Sequence, residues 1–245
     1  MLNFRRSLYL LLPVHALFGA LWYAGDTGAL PLIISLAGHA TLIGFGSAMP
    51  GWNFFLQQQR HGTPGTLALT YDDGPVAGRT DKLLDLLKEE HVHATFFCIG
   101  RNVLKEPELA RRILAEGHSM GVHTQDHPPY WGFLSREYAF KQISACIASI
   151  QRVTGLTPRL FRPPYGITSP GTASAIKASG LHSVVWDLRT FDTVIRNKER
   201  AMDRTMGLIG NASIILMHDH TEHVLELTRA AIQWAKRNGI TLVSL

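Results

Sequence analysis

Two long apolar stretches open the chain, separated by a short polar turn. Residues 8–24 and 29–49 contain no Asp, Glu, Lys or Arg. A helix of roughly 17 to 25 apolar residues crosses a bilayer, and residues 25–28, Gly-Asp-Thr-Gly, are long enough only for a turn. The pattern therefore predicts a transmembrane helical hairpin over residues 1–50.

Three other interpretations of this hairpin region stay open. Arg5 and Arg6 before an apolar run are also typical of a signal peptide, although no small-x-small cleavage site precedes the second stretch. Buried core helices and an interfacial helix are the other two. They are considered because His15 and His39 interrupt the apolar stretches and Pro13 disturbs helical hydrogen bonding.

Beyond the hairpin, short β-rich runs alternate with longer helix-like segments. Gln and Arg at residues 57–60 and Gly-Thr-Pro-Gly at residues 62–65 predict a linker over residues 51–65, followed by a catalytic domain over residues 66–245. The predicted strands are residues 67–71, 94–99, 119–123, 160–162, 182–187, 213–218 and 240–244. The predicted helices are residues 80–90, 106–116, 137–153, 171–179, 198–209 and 222–238.

This alternation predicts an α/β fold with parallel strands joined by helical crossovers, either a barrel or an open doubly wound sheet. In both architectures the active site lies at the carboxyl ends of the strands. A chain of 245 residues is long enough for one such domain and an appendage.

Charge and cysteine content exclude some classes of function. The net charge is +5, and the basic residues are scattered in short pairs, so we expect no nucleic-acid partner. Two cysteines, Cys98 and Cys146, form neither a disulfide framework nor a metal-ligand cluster.

Polar motifs follow four of the predicted strands. They are TYDDGP at residues 70–75, HTQDH at 123–127, RPPYG at 162–166 and LMHD at 216–219. Asp-Asp-Gly-Pro is also ordinary turn chemistry. Two histidines at i and i+4, which share one face of a helical turn, also arise by chance. Their occurrence at successive strand ends favours a catalytic site.

In this order the four motifs resemble the signature motifs of the polysaccharide deacetylase family, carbohydrate esterase family 4 with its NodB-homology domain. Residues 94–100, ATFFCIG, resemble the second strand of that family. The resemblance spans residues 66–245 and implies a distorted (β/α)7 barrel. The two transmembrane helices that the apolar stretches predict precede this barrel and lie outside the resemblance. The resemblance also implies a metal-dependent hydrolase that removes an N-acyl group, acetyl or formyl, from an amino sugar in a glycan or lipid-linked saccharide.

The resemblance assigns a metal site to Asp73, His123 and His127. One carboxylate and two imidazoles leave positions open for water and the acyl oxygen, and a bound ion lowers the pKa of that water. Zn²⁺ is the expected ion, although this donor set also accepts Co²⁺, Ni²⁺, Mn²⁺ or Fe²⁺.

The same resemblance assigns the proton transfers. Asp72 is the expected general base, and Arg162 is expected to pair with it. The backbone N–H of Tyr165, after two prolines, is expected to stabilise the oxyanion, and His218 to protonate the leaving amine. Pro163 and Leu216 belong to the motifs expected to form the substrate site.

The fourth motif departs from the family pattern of an Asp, two residues, then Asp-Trp. Aligned on Asp192, Arg189 replaces the first Asp and Thr193 replaces the Trp. Either Asp187 or Asp192 is therefore expected to orient His218.

Loss of that Trp removes an aromatic wall, which disfavours a long polymer substrate unless a neighbour such as Trp131 or Phe191 replaces it. Alternative functions are an O-acetyl esterase or a small cyclic-amide hydrolase on the same site, or a membrane-anchored glycan-binding module with a decayed site.

The hairpin also predicts a location. Arg5 and Arg6 precede it and Arg60 follows it, whereas its turn has no Lys or Arg. The positive-inside tendency therefore favours the cytoplasmic face of a bacterial inner membrane. On that face a lipid-linked sugar is accessible, and its phosphate is expected to pair with Arg189 or Arg196.

Overall fold

A curled sheet of parallel strands lies at the centre of this computed structural model, which describes residues 2–245. Its strands are β1 (Thr66–Asp72), β2 (Thr95–Cys98), β3 (Ser119–Val122), β4 (Leu160–Phe161), β5 (His182–Ser183), β6 (Leu188–Arg189), β7 (Ile214–His218) and β8 (Thr241–Val243). Their order is β5-β4-β3-β2-β1-β7-β6, and β8 pairs with β1. The pairings of these strands are parallel, as the alternation of segments predicts.

The strands at the two ends of this order, β5 and β6, are consecutive in the chain. Residues 184–187 connect them, and Asp187 donates its backbone N–H to Ile214 of β7. The connection thus closes the gap between the sheet edges, and the expected distorted (β/α)7 barrel is confirmed. The single strand expected over residues 182–187 is wrong, because this part of the chain crosses from one edge to the other.

Within residues 2–245, seven α-helices surround the sheet. They are α3 (Thr80–Glu89), α4 (Gly100–Lys105), α5 (Pro107–Ala115), α6 (Arg136–Thr154), α7 (Pro170–Ser179), α8 (Lys198–Leu208) and α9 (Val224–Arg237). Local chemistry fixes the ends of α6: the Ser135 side chain accepts the Tyr138 N–H, and Gly155 ends the helix with a φ of 76°. The six predicted helices are present. The short helix α4 was not predicted, because six residues are too few to show a helical period.

Side chains of β1 alternate between two layers of the barrel. Leu67, Leu69 and Tyr71 pack between the sheet and the helices. Ala68 faces the barrel interior together with Phe97, Val184, Val185, Trp186, Ile214 and Leu216. Asp72 has the same parity as Ala68, so the strand alternation directs its side chain inward at the carboxyl end of β1.

The N-terminal hairpin consists of α1 (Phe4–Tyr23) and α2 (Leu30–Ala48). Polar side chains meet between its helices: His15 Nδ1 lies 2.6 Å from Ser35 Oγ, and His15 Nε2 lies 3.0 Å from His39 Nδ1. His39 Nε2 lies 3.3 Å from Ser7 Oγ. The polar groups that interrupt the apolar stretches are therefore partnered inside the hairpin. Its exposed apolar side chains include Tyr9, Leu10, Leu12, Leu17, Trp22, Tyr23, Leu30, Ile33, Ile34, Leu36 and Phe45.

Only α2, within residues 2–245, is long and apolar enough to cross a membrane, by length and composition. Within α2 only His39 and Gly46 are buried, so α2 is not a core helix of the barrel. The other expected span, α1, falls short because Arg5, Arg6 and His15 lower its hydropathy.

Residues 51–65, expected to be a linker, pack on the barrel. Phe54 and Leu56 are buried. The Gln59 N–H donates to the Ser183 carbonyl over 2.8 Å, and the Gln59 carbonyl accepts the Val185 N–H over 2.8 Å. This segment therefore covers the edge of β5 and holds the hairpin close to the barrel.

Candidate active site

Two adjacent aspartates end β1. Asp72 is 3% exposed and follows the alternation of the strand. Asp73 has a left-handed φ of 76°, which turns its side chain toward the same side instead of the opposite face. Asp73 Oδ1 is buried and has no hydrogen-bond partner among the described residues. An unpartnered buried carboxylate oxygen is costly and indicates a cation site.

Two imidazoles face that oxygen. Nε2 of His123 and Nε2 of His127 each lie 3.6 Å from Asp73 Oδ1. One ligand atom from each of the three residues lies within 4.8 Å of the others. His123 Nδ1 lies 2.7 Å from the Arg162 carbonyl oxygen, to which it donates, so its Nε2 keeps the lone pair. Burial, and then the neighbouring His127, lower the pKa of His123 to about 3, which keeps the ring neutral, as a metal ligand requires.

The two histidines do not share a helical turn, and that expectation was wrong. Residues 123–127 form an irregular segment after β3, in which Thr124 and His127 have left-handed φ values of 67° and 51°. Thr124 Oγ1 accepts the His127 N–H over 3.0 Å. This turn brings the two ring centroids within 4.9 Å.

Arg162 lies fully buried inside the barrel. Its Nη1 donates to Asp72 Oδ1 over 2.8 Å and to Thr70 Oγ1 over 2.7 Å. The guanidinium carbon lies 4.1 Å from the Phe97 ring centroid. Because Oδ1 of Asp72 is bound to Arg162, Oδ2 is the oxygen that faces the metal-ligand cluster, 3.7 Å from His123 Nε2.

His218 ends β7 on the other side of the cavity. Its Nδ1 lies 2.9 Å from Asp192 Oδ1, and its backbone N–H donates to Asp192 Oδ2 over 2.7 Å. Burial opposes protonation, but the hydrogen bond and charge of Asp192 outweigh it and raise the pKa of His218 above its ordinary value. His218 Nε2 makes no hydrogen bond within residues 2–245.

Asp187, the alternative partner of His218, lies beside the start of β7, whereas His218 lies at its end. The Asp187 carboxylate accepts the N–H groups of Ser213 and Ile214, and its Oδ2 lies 3.1 Å from His61 Nδ1. Ser213 and Ile214 precede His218 by five and four positions, which is roughly 13–17 Å along a strand. The structure therefore brings Asp192 to His218 and not Asp187.

Tyr165 faces the metal-ligand cluster from the RPPYG loop. A left-handed φ of 59° turns its backbone, and its ring packs edge-on against His127 with centroids 4.9 Å apart. Pro163 and Pro164 have no N–H, and the Tyr165 N–H has no acceptor within residues 2–245. It is the first free backbone donor of this loop.

A cavity of about 270 Å³ joins these groups. Its lining comprises Asp72, Asp73, His123, His127, Tyr165, Trp186, Arg189, Thr193, Leu216 and His218. Trp186 supplies an aromatic wall here that sequence reasoning did not identify. Trp131 does not replace the Trp that is missing from the fourth motif, and that alternative was wrong. The Trp131 side chain is fully buried and donates to the Ile167 carbonyl.

Asp219 and His220 follow His218 and also lie at the site, although the sequence predicted no role for them. Asp219 Oδ2 accepts from Thr80 Oγ1 over 2.6 Å, and burial raises its pKa to about 7. This carboxylate packs so closely on Gly74 that any side chain there would overlap it. His220 Nδ1 lies 3.9 Å from Asp73 Oδ2. The position of Asp219 in the LMHD motif was the available signal, whereas His220 had none.

Comparison with known proteins agrees with this geometry. The sequence model of the family described as "Polysaccharide deacetylase" matches residues 59–184. The peptidoglycan-N-acetylmuramic acid deacetylase PdaC of Bacillus subtilis is 39% identical over 153 residues, which is 62% of this chain and 32% of PdaC. The chitin deacetylase of Colletotrichum lindemuthianum is 33% identical over 196 residues, 74% of this chain and 78% of that protein.

The peptidoglycan-N-acetylglucosamine deacetylase PgdA of Listeria monocytogenes is 37% identical over 153 residues. The match covers 62% of this chain and 32% of PgdA, so the chain spans about a third of the length of PgdA and PdaC. The solved structure of PdaC has a TM-score of 0.68 and 34% identity, over 74% of this chain and 87% of that one.

Proposed function

The chain belongs to the polysaccharide deacetylase family, and from that premise we propose that it hydrolyses the N-acyl group, acetyl or formyl, of an amino sugar. One observation carries the proposal: the buried, unpartnered Oδ1 of Asp73 faces two imidazole nitrogens at 3.6 Å, inside a cavity that also holds Asp72 and His218. A metal-ligand set, a carboxylate base and an imidazole acid around one cavity suit amide hydrolysis.

Asp73, His123 and His127 would hold a divalent ion. The donor set fits, because a carboxylate oxygen lacks a partner and His123 is neutral with Nε2 free. When bound, the ion polarises the acyl oxygen and makes water a better nucleophile. One carboxylate and two imidazoles suit Zn²⁺ and also accept Co²⁺, Ni²⁺, Mn²⁺ or Fe²⁺.

The remaining steps belong to the side chains of the cavity. Asp72 accepts the proton of the attacking water at Oδ2, while Arg162 holds Oδ1 through a hydrogen bond of 2.8 Å. The Tyr165 N–H donates to the developing oxyanion. His218 is held by Asp192 at Nδ1, so it gives its Nε2 proton to the departing amine.

The cavity favours a saccharide of limited size. Trp186 lines the cavity with the exposed part of its ring, which a sugar can contact. A volume of about 270 Å³ suits an N-acyl group and part of its sugar ring. PdaC and PgdA are named for peptidoglycan sugars, and this supports a cell-wall glycan or a lipid-linked precursor as the substrate here.

The N-terminal hairpin is proposed to anchor the enzyme in a membrane. Its exposed faces are apolar and its polar side chains pair internally, which suits a lipid environment. Ser47 Oγ donates to the Thr168 carbonyl over 2.7 Å, and Thr168 follows the loop that carries Tyr165. An anchored hairpin would thus hold the active site beside the membrane surface, where a lipid-linked saccharide is presented.

Release of acetate or formate tests the function. The metal-loaded protein is incubated with chitooligomers, peptidoglycan fragments and lipid-linked amino sugars, and with an O-acetylated xylan and a cyclic amide as competing classes. Acyl release from an N-acylated sugar supports the proposal. Turnover of the ester or the cyclic amide alone would favour those alternatives, and a protein without stoichiometric metal or turnover would favour a decayed binding module.

A further inference from the structure

Arg189 lines the same cavity as Asp72 and His218 but has no part in the proposed mechanism. Its Nε is buried and has no hydrogen-bond acceptor among the described residues. Within residues 2–245 its guanidinium also makes no ion pair with an Asp or Glu. Arginine is permanently charged and carries five donors, so a partly buried guanidinium without an acceptor is costly unless a ligand supplies one.

Stacking holds this guanidinium in place without using its donors. The guanidinium carbon lies 4.8 Å from the ring centroid of Phe191 and 5.8 Å from that of Trp186. Arg204 stacks on the same Phe191 ring at 4.7 Å, and Phe191 itself has a left-handed φ of 58°. Ring contacts engage the guanidinium plane, which leaves its N–H edge available to a planar or tetrahedral anion.

We infer that Arg189 binds an anionic substituent of the amino-sugar substrate, either a carboxylate or a phosphate, next to the acyl group that is removed. The inference rests on the proposed function and names the substrate class of the same site. A hydroxyl group of a neutral sugar accepts one hydrogen bond from a guanidinium and leaves its charge unpaired, whereas a carboxylate or phosphate neutralises that charge and accepts two parallel hydrogen bonds.

Two substrates share this chemistry. One is an amino sugar with an ether-linked carboxylic acid, as in the muramic acid for which PdaC is named. The other is a sugar with a phosphate ester at its anomeric carbon, as in a lipid-linked precursor. Both place an anion within one sugar ring of the N-acyl group.

A purely electrostatic role is less consistent with the contacts. Arg189 does not pair with Asp72, because Arg162 already binds that carboxylate over 2.8 Å. It does not pair with Asp73, whose Oδ1 faces the two histidines. The charge of Arg189 is therefore directed at the cavity and not at the aspartates.

Binding of deacylated sugars tests the inference independently of turnover. Calorimetry on the metal-loaded protein compares glucosamine, muramic acid and glucosamine 1-phosphate, none of which has an acyl group to lose. We expect one of the anionic sugars to bind about 10- to 100-fold more tightly than glucosamine. The anion that gains affinity identifies the carboxylate or the phosphate source.

Arg189→Met should abolish that preference while keeping a side chain of similar length. Arg204→Met is the matched control: it removes a guanidinium from the same Phe191 ring but not from the cavity, and it should retain the preference. Any contact of the anion with a bound metal would be the same in both variants, so the difference between them isolates Arg189. An unchanged preference in Arg189→Met, or equal binding of all three sugars to the wild type, overturns the inference.

Turnover distinguishes this inference from the proposed function. The ratio of kcat/KM on anionic and neutral N-acylated sugars should fall about 10- to 100-fold in Arg189→Met. Failure to release acetate or formate from any sugar would contradict the proposed function, whereas the binding comparison would still decide the role of Arg189.

Discussion

Asp192 holds the ring of His218 through a buried hydrogen bond of 2.9 Å between Oδ1 and Nδ1. The same carboxylate accepts the His218 backbone N–H and the Thr221 hydroxyl. These three hydrogen bonds fix the Asp192 carboxylate relative to the His218 ring. The second ring nitrogen of His218, Nε2, is left for the substrate.

The pH dependence of turnover should report this pair. Asp192 raises the pKa of His218, and a general acid must be protonated, so activity should fall as pH rises through that pKa. Asp192→Asn removes the charge that raises the pKa of His218, so this alkaline limb of kcat should move to lower pH.

Asp187→Asn is the control for that profile, since Asp187 contacts Ser213 and His61 but not His218. It should leave the alkaline limb in place, even if it lowers the melting temperature. A limb that moves in Asp187→Asn and not in Asp192→Asn would contradict the proposed orientation of His218.

Substitution of the two adjacent aspartates, one at a time, should distinguish the proposed base from the proposed metal ligand. Asp72→Asn should keep the metal and lose about 10²- to 10⁴-fold in kcat, because it removes the proton acceptor but not a proposed ligand. Asp73→Asn should weaken metal binding. Metal content and single-turnover rates are measured on both variants, and the opposite pattern would reverse their assigned roles.

Removal of either histidine ligand should cost both metal and activity. His123→Ala or His127→Ala takes away one of the nitrogens that face Asp73 Oδ1 at 3.6 Å, and a chelator should reproduce the loss in the wild type. His61→Ala, an exposed histidine outside the cavity, should keep its metal in the same elemental measurement. An active, metal-free His127→Ala protein would contradict the proposed mechanism.

A side chain at Gly74 should destabilise the fold. A Cβ atom there would overlap the buried Asp219 carboxylate, so Gly74→Ala should destabilise the fold by about 1–3 kcal/mol. Gly207→Ala, in α8 with open space around the position, should instead stabilise it by about 0.5–1 kcal/mol. Chemical denaturation of both variants measures the difference, and equal midpoints would show that the Asp219 contact is not rigid.

The orientation of the hairpin is tested by reporters fused after Leu245. Arg5, Arg6 and Arg60 flank the hairpin on the side of the barrel, so a reporter active only in the cytoplasm should work and one active only outside should not. The opposite result would exclude a cytoplasmic lipid-linked substrate and favour an exported glycan. Recovery of the protein in a soluble fraction without detergent would contradict the membrane anchor.

Local sequence was sufficient for the barrel and for the identities of most residues around the cavity. The order of residues in β1 places Leu67 and Asp72 on opposite faces of the sheet, because side chains in a strand alternate with a period of two. The motifs end strands whose parallel order follows from helical crossovers, so Asp72, His123, Arg162 and His218 have to meet at one rim of the barrel.

Tertiary structure decided which of those residues contact one another. Asp187 and Asp192 are five positions apart and chemically identical, and only the course of residues 184–187 across the barrel puts Asp187 at the start of β7 and Asp192 at its end. The left-handed φ values of Asp73, Thr124 and His127 likewise aim the metal ligands. Such backbone angles depend on packing between distant segments, and no local period in the sequence encodes them. The guanidinium of Arg189 is a further example, because its lack of a carboxylate partner within residues 2–245 is a property of the folded barrel and not of its neighbours in the chain.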